Sequence, residues 1–285
     1  MTRTPWTGRI AVYSANEDAG YRLNCEVRRP SVMGETLDAL PAAQAGSWMQ
    51  ASVRVRINRG VLQSRSQLDV LNGANVAALR HGGAGDWEVF QFERADLVAP
   101  NVYRLGGLLR GQAGTDGIMP ATWPEGTDFV LLDGAAVQLR LPSSARGLER
   151  HYRFGPSTRA YDDVSYQHRV EAFAGVGLRP YRPAHLGAVR QANGDIRISW
   201  IRRTRLDGDS WQGTDAPLGE SRELYHLRIS SGGSLLREFV PQSPEAVYLA
   251  ADQAADAAPS GVEIEVAQVS DLFGPGPYER YSFDG

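Results

Sequence analysis

The chain has 285 residues, 42% hydrophobic and 22% charged, with a formal net charge of −3. That length admits two domains, each with a core of its own. Mild acidity without a basic stripe gives no electrostatic footprint for nucleic acid, so direct DNA or RNA binding is not expected. No stretch of roughly 18 apolar residues is present that could cross a bilayer as a helix.

Read in chain order, short period-two segments dominate. Extended candidates are 10–14, 21–27, 51–58, 86–92 and 102–108, each bounded by turn residues. Apolar and polar residues alternate through Trp87–Phe92, which places one face in a core and leaves the other wet. Trp87 is assigned to the buried face. Gly106 and Gly107 are expected to bend or end the strand that begins near Val102. Residues 129–132 and 137–141 flank Asp133-Gly134, the pair that best matches a tight hairpin turn. Strands are also expected over 150–154 and 165–173. Only 71–80 offers a helical turn, and the sequence LNGAN keeps it short. Residues 34–46 and 111–126 read as loops, the second carrying Trp123.

Two prolines, Pro180 and Pro183, stiffen the segment 178–185 and make it the natural boundary. The expected domains are 1–179, β-rich with room for two subdomains, and 180–285. In the second, seven strands over 184–190, 195–202, 223–230, 235–240, 246–249, 262–270 and 278–283 match the order and spacing of a fibronectin type III sandwich. Trp200 would fill its centre. Residues 203–221 form an insertion between the second and third strands that departs from that pattern. The fold class is therefore all-β, a β-rich domain followed by a fibronectin type III-like sandwich.

The chemistry-bearing residues form no recognised catalytic set. Cys25 is alone, so it can form neither an intrachain disulfide nor a cysteine zinc site, and it reads as a small buried hydrophobe. His81, His151, His168, His185 and His226 lack the spacings of zinc or relay motifs. No G-x-S-x-G elbow positions a serine, and Asp162-Asp163 are adjacent residues that would face opposite ways on a strand and more naturally mark a turn. The glycine patches lack the lysine of a phosphate loop. Catalytic residues, cofactors and bound metals are accordingly all expected to be absent. Asp207, Asp209 and Asp215 could offer oxygens to a hard cation, but the loop lacks a calcium hand's distal acidic ligand. The candidate surface contacts are Trp123, Trp211, Asp207 and Asp209, the indoles as sugar platforms or protein anchors if exposed. Packing of each indole onto its own sandwich edge is the simpler reading.

Several segments together resemble a known family. NGANVAALR, WEVFQFERADLV, YRLGGLLRGQAGTD, FVLLDGA, LRPYRPAHL and GDIRISWIRRTRLDGDSWQG are similar to the C-terminal region of the large baseplate protein of alphaproteobacterial gene transfer agents and related siphophages. That family is called megatron or host-specificity protein. The resemblance implies a non-enzymatic structural and host-interaction piece of a tail tip, because the family's glycosidase-related portion lies upstream of the matching region. It implies other tail-tip subunits as partners, host polysaccharide or tail fibres as further contacts, and a homotrimer in the particle. The amino terminus lacks the apolar core of a secretory signal, so assembly in the bacterial cytoplasm and release by lysis are expected. The alternative is a carbohydrate-binding module using Trp123 or Trp211.

Overall fold

The computed structural model describes residues 6, 8–44, 46–83, 85–206 and 217–285. The chain divides into two compact units, Met1–Gly175 and Val176–Gly285. Among the described residues, no helix is long and apolar enough to cross a membrane.

The first unit opens with β1 (Ile10–Ala15) and β2 (Arg22–Val27), an antiparallel pair. Next come β3 (Met33–Thr36), β4 (Leu40–Pro41), β5 (Trp48–Met49) and β6 (Val53–Ile57). A one-turn helix α1 (Gln67–Leu71) follows, then β7 (Val76–Arg80), β8 (Glu88–Ala99), β9 (Val102–Gln112), β10 (Thr122–Trp123) and β11 (Asp128–Leu131). β12 (Glu149–Pro156) and β13 (Gln167–Ala172) then return to the first pair, completing a sheet of order β13-β12-β1-β2.

Between β2 and β12 lies a closed barrel. Antiparallel pairings run β9-β6-β3-β11-β7-β8, and β8 pairs again with β9, so the sheet returns to its starting strand. Closure removes the free edges that would otherwise invite pairing with other chains. Alternation explains how these residues close it: Val53, Val55 and Ile57 point inward while Arg54 and Arg56 stay wet. Phe90, Phe92, Leu79, Leu105, Leu108 and Phe129 complete a dry interior. Gly34 is required where β3 crosses β6, because a Cβ there would run into the carbonyl oxygen of Arg56.

The barrel corrects four local expectations. Residues 76–80 form a barrel strand, and the helical turn lies earlier, at 67–71, where Ser66 and Asp69 make a reciprocal capping box. Residues 33–36 and 40–41 are strands within what reads as a loop. The Asp133-Gly134 hairpin does not form. β11 already has β3 on one edge and β7 on the other, so 137–141 find no edge to pair with. That segment is held elsewhere: Asn24 donates through Nδ2 to the Arg140 carbonyl and accepts from its N–H, both at 2.9 Å. Finally, of the two outcomes expected at Gly106-Gly107 the ending does not occur: β9 continues to Gln112, with Gly107 at φ +60 inside it.

The second unit contains β14 (Ala184–Arg190), β15 (Ile196–Ile201), β16 (Tyr225–Ser231), β17 (Ser234–Phe239) and β18 (Glu245–Tyr248). A short helix α2 (Ala250–Ala255) precedes β19 (Val262–Ser270), β20 (Gly274–Pro275) and β21 (Glu279–Phe283). One sheet has the order β14-β15-β18; in the other, β16 sits between β17 and β19, and β19 also pairs with β21. β20 and β21 both pair with β19 and act as successive pieces of one edge strand, so the order is three plus four, the fibronectin type III arrangement. Ile196, Ile198 and Trp200 from one sheet meet Tyr225, Leu227, Ile229, Ile264 and Val266 from the other. Trp200 stands edge-on to Tyr225 with ring centres 5.0 Å apart, so it occupies the sandwich centre as the alternation predicts. Helix α2 has no counterpart in the sequence reading, although the alanine-rich LAADQAADAA carries its helix propensity.

Candidate functional site

The most strongly organised polar group in the barrel is sealed from solvent. β8 brings Glu88 to the inner face in line with Phe90 and Phe92, and β9 brings Arg110 opposite; both side chains are 0% exposed. Arg110 donates from Nε to Glu88 Oε1 at 2.6 Å and from Nη2 to Oε2 at 2.7 Å, a bidentate pair. Its Nη1 reaches the carbonyl of Pro41 in β4 at 2.8 Å. The Gly111 N–H and the Trp123 indole N–H also donate to the Glu88 carboxylate. Donors from β9 and β10 therefore converge on one β8 carboxylate, and β4 is tied in through Arg110. Gly111 adopts φ +62, and a Cβ there would lie 2.7 Å from the Asp116 Cα, so the turn beyond Arg110 requires glycine.

This arrangement corrects the placement of Trp123. It is 8% exposed, β10 pairs it with Leu40, and its nitrogen is consumed by Glu88, so it offers no platform to a sugar or a partner. Trp87 moves the other way. Its period is right but its face is reversed: Glu88 points into the core, and Trp87 is half-buried under the Arg80 guanidinium, 4.3 Å from the ring centre. Sequence reasoning missed the Glu88–Arg110 pair because a charge at a core position violates the burial rule used to choose the face. The available signal was Glu88 sharing the parity of Phe90 and Phe92.

Trp211, Asp207, Asp209 and Asp215 lie outside the described residues. Asp162 and Asp163 sit in a turn, with Asp163 Oδ1 accepting from the Ser165 N–H and hydroxyl, which hold its carboxyl below the usual carboxylate range. Cys25 is half-buried, and desolvation raises its thiol pKa, which leaves it a poor nucleophile.

The sandwich carries a second polar knot. Arg237 on β17 donates from Nε to Asp256 Oδ2 at 2.6 Å and from Nη2 to Oδ1 at 3.0 Å, and Tyr248 donates its hydroxyl to Oδ2 at 2.8 Å. These bonds, the Arg237 one first, depress the Asp256 pKa; desolvation chiefly, then the carboxylate, pushes the Tyr248 hydroxyl up. The knot ties the end of α2 to both sheets.

Two histidines that the sequence leaves unrelated are neighbours in space. His151 on β12 and His168 on β13 place Nδ1 and Nε2 3.0 Å apart, and Asp18 in the β1–β2 turn lies 4.0 Å from the His168 nitrogen.

Residues 31–130 match the family described as Rcc01698-like, C-terminal. That family is named after a Rhodobacter capsulatus gene-transfer-agent gene, and the match relates this chain to gene-transfer-agent proteins. Its limits run from just before β3 to the penultimate residue of β11, so the family segment is the closed barrel. No curated protein matches the chain. Among solved structures, the chain is similar to domains d3–d4 of the rat CD45 extracellular region, with 14% identity, 53% of this chain and 71% of that one covered, and a TM-score of 0.28. It is also similar to a two-domain fibronectin type III segment of chicken tenascin, at 8% identity, 88% and 99% coverage, and a TM-score of 0.27. Domains FN1–FN3 of chicken CNTN1 follow at 11% identity, 87% and 64% coverage, and 0.26. Likenesses at this level carry no argument; the type III arrangement of the second unit rests on its own strand order.

Proposed function

We propose that this chain is a non-enzymatic structural and host-interaction piece of the tail tip, or baseplate, of a gene transfer agent. The observation that carries the reading is the coincidence of the Rcc01698-like segment with a complete barrel, followed in the chain by a type III sandwich. Each unit closes around a core of its own. Their most buried charged and aromatic groups are spent on each other, Glu88 on Arg110 and Trp123, rather than aimed at a substrate. Loops and strand edges are then the surfaces available for contact, as in other sandwich modules.

The partners in this reading are other tail-tip subunits, with host polysaccharide or tail fibres beyond them, and the chain is trimeric in the particle. It assembles in the bacterial cytoplasm and leaves with the particle on lysis. Nucleic acid is not a direct partner, in keeping with the charge of −3. The alternative of a carbohydrate-binding module loses one of its two indoles, because Trp123 is part of the barrel core. Affinity purification of the tagged chain from producing cells tests the proposal: tail-tip subunits should co-purify in fixed ratio. Recovery of the chain free of them, with hydrolysis of host capsule by the chain alone, would replace it with an enzymatic role.

A further inference from the structure

We propose that His151, His168 and Asp18 form a binding site for a divalent transition-metal ion of the zinc type, clipping the edge strand β13 to the β1–β2 turn. One donor atom from each residue lies within 4.8 Å of the other two. The set is two imidazoles and one carboxylate, the donor chemistry that zinc, nickel and copper accept and that calcium and magnesium do not favour.

The ring spacing is compatible with two ligands on one ion. The imidazole planes are 11° apart, with ring centres separated by 5.2 Å. An ion about 2.05 Å from each nitrogen stands roughly 3.2 Å from each ring centre, so a 5.2 Å separation subtends about 109° at the ion, the tetrahedral angle. The 3.0 Å separation of the nitrogens gives about 94° by the same construction, so the two nitrogens need open by only a few tenths of an ångström. Asp18 must close on His168 by about 0.7 Å from 4.0 Å, roughly twice that movement. In the metal-free chain one of the two facing nitrogens donates to the other across 3.0 Å; binding moves that bridging hydrogen, so that in the loaded site the ring hydrogens stand on His151 Nε2 and His168 Nδ1 and both facing nitrogens bind the ion.

The carboxylate is held for this role. Tyr21 donates its hydroxyl to Asp18 Oδ1 at 2.5 Å and Arg153 donates Nη2 to the same oxygen at 3.0 Å. These two bonds fix the orientation of the carboxylate toward the histidine pair. Outer partners of this kind fix a ligand's orientation. The Arg153 charge opposes any cation held by electrostatics alone, which favours ions bound through imidazole nitrogen. The side chains of His168 and Asp18 are 38% and 49% exposed, so water can reach the ion as a fourth ligand.

The mechanical consequence follows from β13. All six of its residues are exposed and, among the described residues, it pairs only with β12, so it is a sheet edge held by one ladder. A metal bridge would add a second attachment through Asp18.

Equilibrium dialysis of the full chain against zinc chloride, with cobalt as a spectroscopic probe, tests the site. The expected result is one zinc per chain, tetrahedral cobalt absorption, slower amide exchange over 167–172, and no competition from calcium or magnesium. His168→Gln and His151→Gln, both shown folded by circular dichroism, should each weaken binding about tenfold or more, and Asp18→Asn should weaken it less. Failure of the wild-type chain to bind zinc, or undiminished binding by the His168→Gln chain, overturns the proposal.

Discussion

The Glu88–Arg110 pair offers the sharpest test of how the barrel is held. Arg110→Met leaves Glu88 charged and sealed with only the Trp123 and Gly111 donors, and it orphans the Pro41 carbonyl. Removing one partner of a buried pair costs about 3–5 kcal/mol. The unpaired carbonyl adds about 1 kcal/mol, for a total of about 4–6. Glu88→Leu costs a similar amount, because Arg110 keeps its charge and only one acceptor. The double variant, Glu88→Leu with Arg110→Met, behaves differently. It strands three neutral groups at about 1 kcal/mol each but buries no lone charge. Well-packed apolar replacement returns about 1–3 kcal/mol. The double variant should therefore be more stable than either single variant by roughly 4 kcal/mol. Calorimetry of the full chain, following the transition of the first unit, measures all three. Additive losses, with the double variant equal to the sum of the singles within about 0.5 kcal/mol, would refute the reasoning.

Three further outcomes are expected. Gly34→Ala should abolish the barrel transition, since its methyl meets backbone that cannot yield, while Gly82→Ala, with φ +69 and open space, should cost only about 1 kcal/mol; thermal melts compare them. Trp200→Ala should cost about 3–5 kcal/mol and remove or lower only the second unit's transition, read by calorimetry. Asp256 has a depressed folded pKa, so its contribution is complete above the unfolded value of about 3.9 and is lost as pH falls through the folded one. The melting temperature of the second unit should therefore drop more steeply below about pH 4 in the wild type than in Asp256→Asn.

The sandwich was almost fully legible in the sequence, because each strand has one wet and one dry face and its period shows directly. Strands 184–190 and 262–270 coincide with β14 and β19. The barrel was legible as β-structure but not as a barrel, since closure depends on β8 pairing with both β7 and β9, which no local pattern encodes. The same closure defeated the Asp133-Gly134 hairpin by occupying the edge it needed. Glu88 shows the limit of pattern reading most clearly. A charge among phenylalanines of like parity signals a buried pair only when Arg110, far along the chain, is known to stand opposite. His151 and His168 were separated for a related reason: they meet across a ladder rather than along one strand.

On the proposed function, this chain stands at the tip of a gene-transfer-agent tail. Gold-labelled antibody against the chain, applied to purified particles and viewed by electron microscopy, measures that location directly. The account predicts label at the distal end of the tail. Label confined to heads, or particles bearing none while the chain stays in cells, would contradict it.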